Sequence, residues 1–387
     1  MRYHICLSRS VDLSKFHRDA QLDQCPRHTM WDLSQELDAT VHHPDAKAVT
    51  WIDRRLAKLT SEPEHWALAR SLINKLTAND LVFCTGEDVG FPLAILAGFK
   101  ANRPKLVVYI LEPKRLRVRA LLKLFRLAQS VDLFLTNTQL KADYLRQYLQ
   151  LPQEKVHVVR EQTDVRFFCP GPVTLEKQRP LIASAGLEQR DYKTLAEATR
   201  DLDVDVNICA VSPNASAKTR VAFPEVMPSN MTAHPQEWRQ FRQLYRNSDM
   251  VVISLLYNTY SAGLTTLMEA LACRRPVIIT RTPGLTERLI DLGVVTGVAP
   301  GDATAMKQAI LNFINNPELA EAQAQRGYEL ILQEHTSEAY VQDLVCQFKQ
   351  LAEHRACFHS DGNTLNEPLK AAPLPTSTAS LNPLNPS

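Results

Sequence analysis

The sequence predicts an α/β fold of two doubly wound lobes facing one cleft, and three observations point there. Short apolar, β-rich runs alternate with helix-length amphipathic segments along most of the chain. The alternation stops once, at a Pro-containing stretch, and then restarts. The chain has 387 residues, 45% of them hydrophobic, which is enough to bury two cores rather than one.

Taken in order, "HICLS" and "AVTWI" in the first fifty residues have strand composition, while "CPRHTMWDLSQELDATVHHPDAK" between them shows no clean period. Strands are expected at 80–86 (DLVFCTG), 105–111 (KLVVYIL), 131–137 (VDLFLTN) and 156–159 (VHVV), with helices over 91–101, 115–128 and 138–149. Strand, crossover helix, strand is the pattern of a parallel sheet covered on both faces. "FFCPGPVTLEKQRP" at 167–180 reads as the linker. After it come strands at 181–186, 204–211, 249–255 and 276–280, with helices over 192–201, 235–247, 264–274 and 302–315. The expected domains are therefore 1–170 and 178–335. A helical segment at 336–354 follows, and a tail from 359 to 387 is too rich in Pro, Ser, Asn and Thr to fold alone.

Composition removes several classes of function. With 44 Lys and Arg against 42 Asp and Glu, the net charge of +2 argues against a nucleic-acid-binding protein. The eight cysteines lack CxxC or zinc-type spacing, and no histidine has metal-like companions, so reduced thiols and no metal are expected. Without a signal-length apolar start or a run long enough to span a bilayer, a cytoplasmic protein is expected.

The chemistry is expected at the carboxyl ends of the strands, where open α/β sheets bind ligands. In "SAGLTTLMEALACRRPVIIT", from Ser261, a helix opens just after strand 249–255. Its unpaired N–H groups at Gly263, Leu264, Thr265 and Thr266, with the positive end of its dipole, suit an anion such as a phosphate. Glu269 follows Thr265 by four residues and Thr266 by three, so all three share one helix face. From there a carboxylate can accept hydrogen bonds from a ribose diol. Thr266-x-x-Glu269 has equally the form of a capping box, which needs no ligand, and both readings stay open on spacing alone.

Two further stretches stand out. "CTGEDVGFP" at 84–92 joins a strand to a helix and places Glu87 and Asp88 at the edge of the cleft, either to orient an acceptor hydroxyl or to favour the helix dipole. Residues 100–126 hold nine Lys or Arg and one acid, Glu112. On a helix over 115–128, Arg115, Arg119, Lys123 and Arg126 form one cationic stripe, with Leu116, Leu124 and Leu127 on an apolar side. Such a segment, 114–126, fits peripheral contact with an anionic membrane, or an ordinary crossover helix with a solvated basic face.

"SAGLTTLMEALACRRPVIITRTPGLTERL" and the following "GVAPGDATAMKQAILNFINNPELAEAQAQRG" together resemble the group 1 (family 4) glycosyltransferases of GT-B fold, with two Rossmann-like lobes. The resemblance runs from about 180 to 340 and implies a retaining, metal-independent enzyme with a nucleotide-diphosphate sugar as donor, a sugar, lipid or small-molecule hydroxyl as acceptor, and no cofactor. It implies that the C-terminal lobe binds the donor and the N-terminal lobe the acceptor, with the last helix passing back onto the N-terminal lobe. "SAGLEQRDYKTLAEA" at 184–198 resembles the family's diphosphate loop, with Arg190 in place of the usual lysine. A guanidinium can hold two phosphate oxygens and stays charged, which suits a pyrophosphate leaving group. Read without the family, Arg190 and Asp191 also fit a solvated surface pair. Ser261 stands where the family commonly has its first glutamate, and "EPKR" stands where a histidine often follows the N-lobe strand. These departures leave a second function open, a catalytically silent lobe pair that binds a nucleotide or a partner.

Overall fold

The computed structural model describes residues 1–58, 60–210, 221–258, 261–283 and 286–353. The tail expected to stay unfolded lies outside the described residues, as do Val211 of the second expected C-lobe strand and Gly284 and Leu285 of the quoted signature.

The first lobe runs β1 (Arg2–Cys6), α1 (Leu13–Gln21), α2 (Thr29–Glu36), β2 (Thr40–His42), α3 (Trp51–Ala57), α4 (Pro63–Ile73), β3 (Asp80–Cys84), α5 (Glu87–Ala97) and β4 (Lys105–Tyr109). It continues through α6 (Leu116–Leu124), α7 (Leu127–Ser130), β5 (Leu133–Thr136), α8 (Gln139–Leu149) and β6 (Val156–Val158). Its six strands are all parallel in the order β2-β1-β3-β4-β5-β6. Apolar clusters fill both faces, so β3 reads as a continuous hydrophobic run rather than an alternating one.

The second lobe comprises β7 (Leu181–Ala185), β8 (Arg190–Asp191), α9 (Tyr192–Thr199), β9 (Asp205–Cys209), β10 (Val221–Ala222), β11 (Met231–His234), α10 (Trp238–Asn247) and β12 (Met250–Ile253). Then come α11 (Leu264–Ala272), β13 (Val277–Thr280), α12 (Glu287–Asp291), β14 (Thr296–Val298), α13 (Ala303–Asn315) and α14 (Pro317–Glu334). The main sheet is again six parallel strands, β11-β9-β7-β12-β13-β14, with β8 and β10 paired beside it. The last helix, α15 (Ser337–Glu353), buries Val341, Leu344 and Phe348 against Ile5, Leu7 and Phe83 of the first lobe.

Three expectations are corrected. "AVTWI" is not a strand: Thr50 and Asp53 form a capping box that starts α3 at Trp51. The stretch 167–180 is not wholly linker, since Phe167 and Phe168 are 3% and 2% exposed and pack on Phe241 and Tyr245. The basic helix is shorter than expected because Arg126 is left-handed (φ 48°) and breaks it. Its four cations therefore do not form one straight solvated stripe. Arg119 and Lys123 lie over the Tyr148 ring at 5.2 and 4.4 Å, and Leu116 and Leu124 face solvent while Val118, Leu121 and Leu122 are buried.

Candidate active site

In each sheet the first strand sends its successors to opposite sides, which leaves a crevice between β7 and β12 and another between β1 and β3. The loops that leave these four strands, joined by those after β4 and β11, line one cleft of about 1540 Å³. Ser8, Arg9, Thr85, Asp88, Glu112 and Arg115 come from the first lobe, and Gly186 to Arg190, Ser261 to Thr266 and Glu269 from the second.

The loop after β7 is fastened to the loop after β12. Asp191 N–H donates to Ser254 carbonyl at 3.0 Å and Leu256 N–H to Gln189 carbonyl at 2.9 Å, with Arg190 opposite Leu255. This zip brings Arg190 to α11. Its Nε donates to Ala185 carbonyl (2.7 Å), its Nη1 to Glu188 carbonyl (2.8 Å) and its Nη2 to Thr266 Oγ1 (3.0 Å). The residue is 4% exposed, so it is not a solvated partner of Asp191. Asp191 instead caps α9 through Thr194. Gly186 makes room for the guanidinium: its φ is +89° and a Cβ there would meet Arg190 Nη2 at 2.6 Å.

Helix α11 begins at Leu264 with Gly263 as its N-cap, in the left-handed region at φ 85°. A Cβ at Gly263 would stand 3.0 Å from Ile253 Cγ2, so the glycine is required by the turn and by the strand beneath it. The cap position also removes the capping-box reading of Thr266 and Glu269, which lie beyond the first orphan donor. The Thr266 hydroxyl serves Arg190, and Glu269 Oε2 accepts from Tyr245 Oη at 3.1 Å. Burial pushes the Glu269 carboxyl up to about 8, with Tyr245 and Arg190 opposing that rise. The same burial lowers the Arg190 guanidinium from its usual value, which nearby Tyr192, Tyr245 and Glu269 oppose. A carboxyl and a guanidinium are thus both held in a wall of the cleft, beside the free N–H groups of a helix end.

On the first lobe, Asp88 Oδ1 accepts from Ser8 Oγ at 2.7 Å across the β1/β3 crevice. Pro92 interrupts α5 and cannot donate to Asp88 carbonyl, which Ser61 Oγ satisfies instead at 2.7 Å. Glu87 is turned away from the expected role at the cleft edge: its Oε2 accepts from Leu111 N–H at 2.8 Å, and burial raises its carboxyl. Ser261 accepts from Lys141 Nζ at 3.4 Å, a contact that joins α8 to the start of α11.

The structure therefore brings together Arg190, Glu269, Ser261, Gly263, Leu264, Thr265, Thr266 and Asp88, and leaves out Glu87. Sequence reasoning missed Tyr245, Ser8 and Lys141. Tyr245 sits on the apolar face of α10 and reads as core. Ser8 carried a usable signal, since it lies just past the end of the first strand of a doubly wound lobe. Among the described residues no group of three or more His, Cys, Asp or Glu is placed to hold a metal ion, and no helix is long and apolar enough to cross a membrane.

Two such lobes with a shared cleft at their strand ends define the GT-B fold, and solved structures similar to this chain share it. Sucrose-phosphate synthase from Thermosynechococcus elongatus matches 92% of this chain and 100% of its own with a TM-score of 0.65 at 14% identity. The α,α-trehalose 6-phosphate synthase from Burkholderia multivorans matches 92% and 99% with a TM-score of 0.64 at 14% identity. Anabaena HepE, solved with UDP-glucose, matches 90% and 100% with a TM-score of 0.62 at 15% identity. Residues 227–330 match the family model of the glycosyl transferases group 1. No curated protein matches the chain in sequence.

Proposed function

We propose that the protein transfers a sugar from a nucleotide-diphosphate sugar to a hydroxyl acceptor, with retention at the anomeric carbon and without a metal ion. The observation that carries this reading is the pairing of a buried, preorganised guanidinium, Arg190, with the open N-terminus of α11 at the β7/β12 crevice. When a nucleoside diphosphate departs, negative charge collects on its terminal phosphate. Fixed positive charge there lowers the barrier, and removing one such contact costs about 3 kcal/mol in comparable sites. Because Arg190 is already held by two carbonyls and a hydroxyl, little reorganisation is needed when that charge appears. Glu269, one helical turn below, is the acceptor for the ribose diol, and Ser261 and Thr265 face the sugar side. Asp88, on the opposite wall, is assigned the orientation of the acceptor in this reading. The UDP-glucose held by HepE makes uridine nucleotides the first donors to try.

The test is a thermal-shift screen against UDP-, GDP- and ADP-sugars, followed by a transfer assay in EDTA. A donor at 100 times its dissociation constant adds about 2.7 kcal/mol to the stability of the folded state. Arg190→Ala and Glu269→Ala are expected to abolish that shift, and transfer is expected to survive chelation. A wild-type shift retained by both variants would refute the site. Donor binding with neither transfer nor donor hydrolysis would leave the silent lobe pair as the correct reading.

A further inference from the structure

The N-lobe carries a second feature, away from the donor site. Arg117 Nη2 donates to Ala57 carbonyl at 3.2 Å, which fastens the start of α6 to the end of α3 and makes their outer sides one surface. That surface is cationic. Arg54, Arg55 and Lys58 from α3 and Lys114, Arg115 and Arg117 from α6 and its approach are all exposed. Within 51–58 and 113–126 the only acid is Asp53, which is buried and bound to Arg70. Set among these cations are large exposed apolar side chains: Trp51 at 66%, Ile52 at 43% and Leu116 at 80% exposure. Arg55 lies over the Trp51 ring at 5.1 Å, so cation and indole share this surface.

A cationic field on a chain with a net charge of only +2 is a local choice, and indole with aliphatic side chains between cations suits the headgroup layer of a bilayer. Arg115 belongs to this face and also lines the cleft, so the face adjoins the cleft mouth. We infer that the α3/α6 face docks on a membrane bearing anionic headgroups, and that the acceptor hydroxyl reaches the cleft from a lipid held in that membrane. The second half of this inference rests on the transfer reading above; the docking itself does not.

The experiment is sedimentation of the full chain with vesicles of phosphatidylcholine alone or mixed with phosphatidylglycerol, at low and high salt. Binding is expected to the mixed vesicles and to weaken as salt rises. The triple variant Arg54→Gln, Arg55→Gln, Lys58→Gln should bind them more weakly by roughly five-fold for each cation removed. Trp51→Ser with Leu116→Ser should keep the low-salt attraction and lose what persists at high salt. Tryptophan emission of the unaltered chain should shift to the blue on mixed vesicles, and loss of that shift in Trp51→Ser with Leu116→Ser assigns it to Trp51 among the four tryptophans. Equal binding to neutral vesicles, unchanged binding of both variants, or tighter binding to poly(U) RNA than to mixed vesicles would each overturn the inference. The donor-induced thermal shift on the same samples separates the two proposals. Its loss with vesicle binding intact sinks only the transfer reading, and the converse sinks only the membrane face.

Discussion

Glu269 shows how one side chain can be costly to the fold and still be kept. Its carboxyl is 5% exposed, bonded to Tyr245 and pushed up to about 8 by burial. The folded chain therefore holds a proton there that the unfolded chain has already released above its ordinary value near 4.5. With the folded value raised, the stabilising term is fully present below that ordinary value and is lost as pH rises through about 8. Glu269→Gln keeps an acceptor for Tyr245 and removes the titration. Urea denaturation should show the wild type losing stability relative to Glu269→Gln between mildly acidic and mildly alkaline pH, by on the order of a few kcal/mol. Parallel pH profiles for the two proteins would mean that Glu269 is better solvated than its surroundings indicate. Tyr245 and Arg190, which both favour the ionised form, reduce the size of the effect without changing its sign.

At the scale of elements, α11 is placed by one glycine. Gly263 combines a positive φ with a strand side chain 3.0 Å from where a Cβ would stand, so Gly263→Ala is strained twice over. It is expected to destabilise the protein by about 1–3 kcal/mol and to weaken donor binding, because the N–H groups of the first turn move with the cap. Denaturation and donor titration of the same variant check both effects. Strands β3 to β7, β9, β12 and β13 were legible in the sequence because buried parallel strands are continuous apolar runs between turn residues, whereas β11 and α14 went unread. The start of α11 was legible for the related reason that a small-residue turn follows β12. Elsewhere the pattern was silent. "AVTWI" has strand composition but a local Thr50–Asp53 cap, and a side-chain hydrogen bond outweighs β-propensity there. β2 has three residues and β14 three, too few to display a period. The basic helix was misread because periodicity cannot foresee the left-handed Arg126, nor that the Tyr148 ring takes up Arg119 and Lys123. In the site, Glu269 was legible from its spacing on α11 and Arg190 from its place in the loop after β7, chiefly through the resemblance. Tyr245 was not, since its role depends on α10 and α11 meeting in space.

Across the whole molecule, the two lobes are tied by contacts far apart in sequence. Arg242 of α10 holds Asp23 of the first lobe with two bonds, at 2.6 and 2.7 Å, while lying over Phe167 at 4.3 Å. Arg27 similarly holds Asp164 at the crossing between lobes. The larger tie is α15, which follows the second lobe in sequence yet completes the first. Phe348 is 1% exposed and its ring packs on Phe83 at 5.2 Å, with Leu344 buried beside it. His157 and Asp343 pair at 2.9 Å on the same contact. The first lobe therefore cannot fill its core until the second has been made, which couples the folding of the two. Phe348→Ala should cost about 3–5 kcal/mol, and the loss should register in the first lobe. Hydrogen exchange read strand by strand is the decisive measurement. Protection falling in β1 and β3 while β12 and β13 keep theirs would place the damage where the packing does, whereas a loss centred on the second lobe would show that α15 belongs to the lobe it follows.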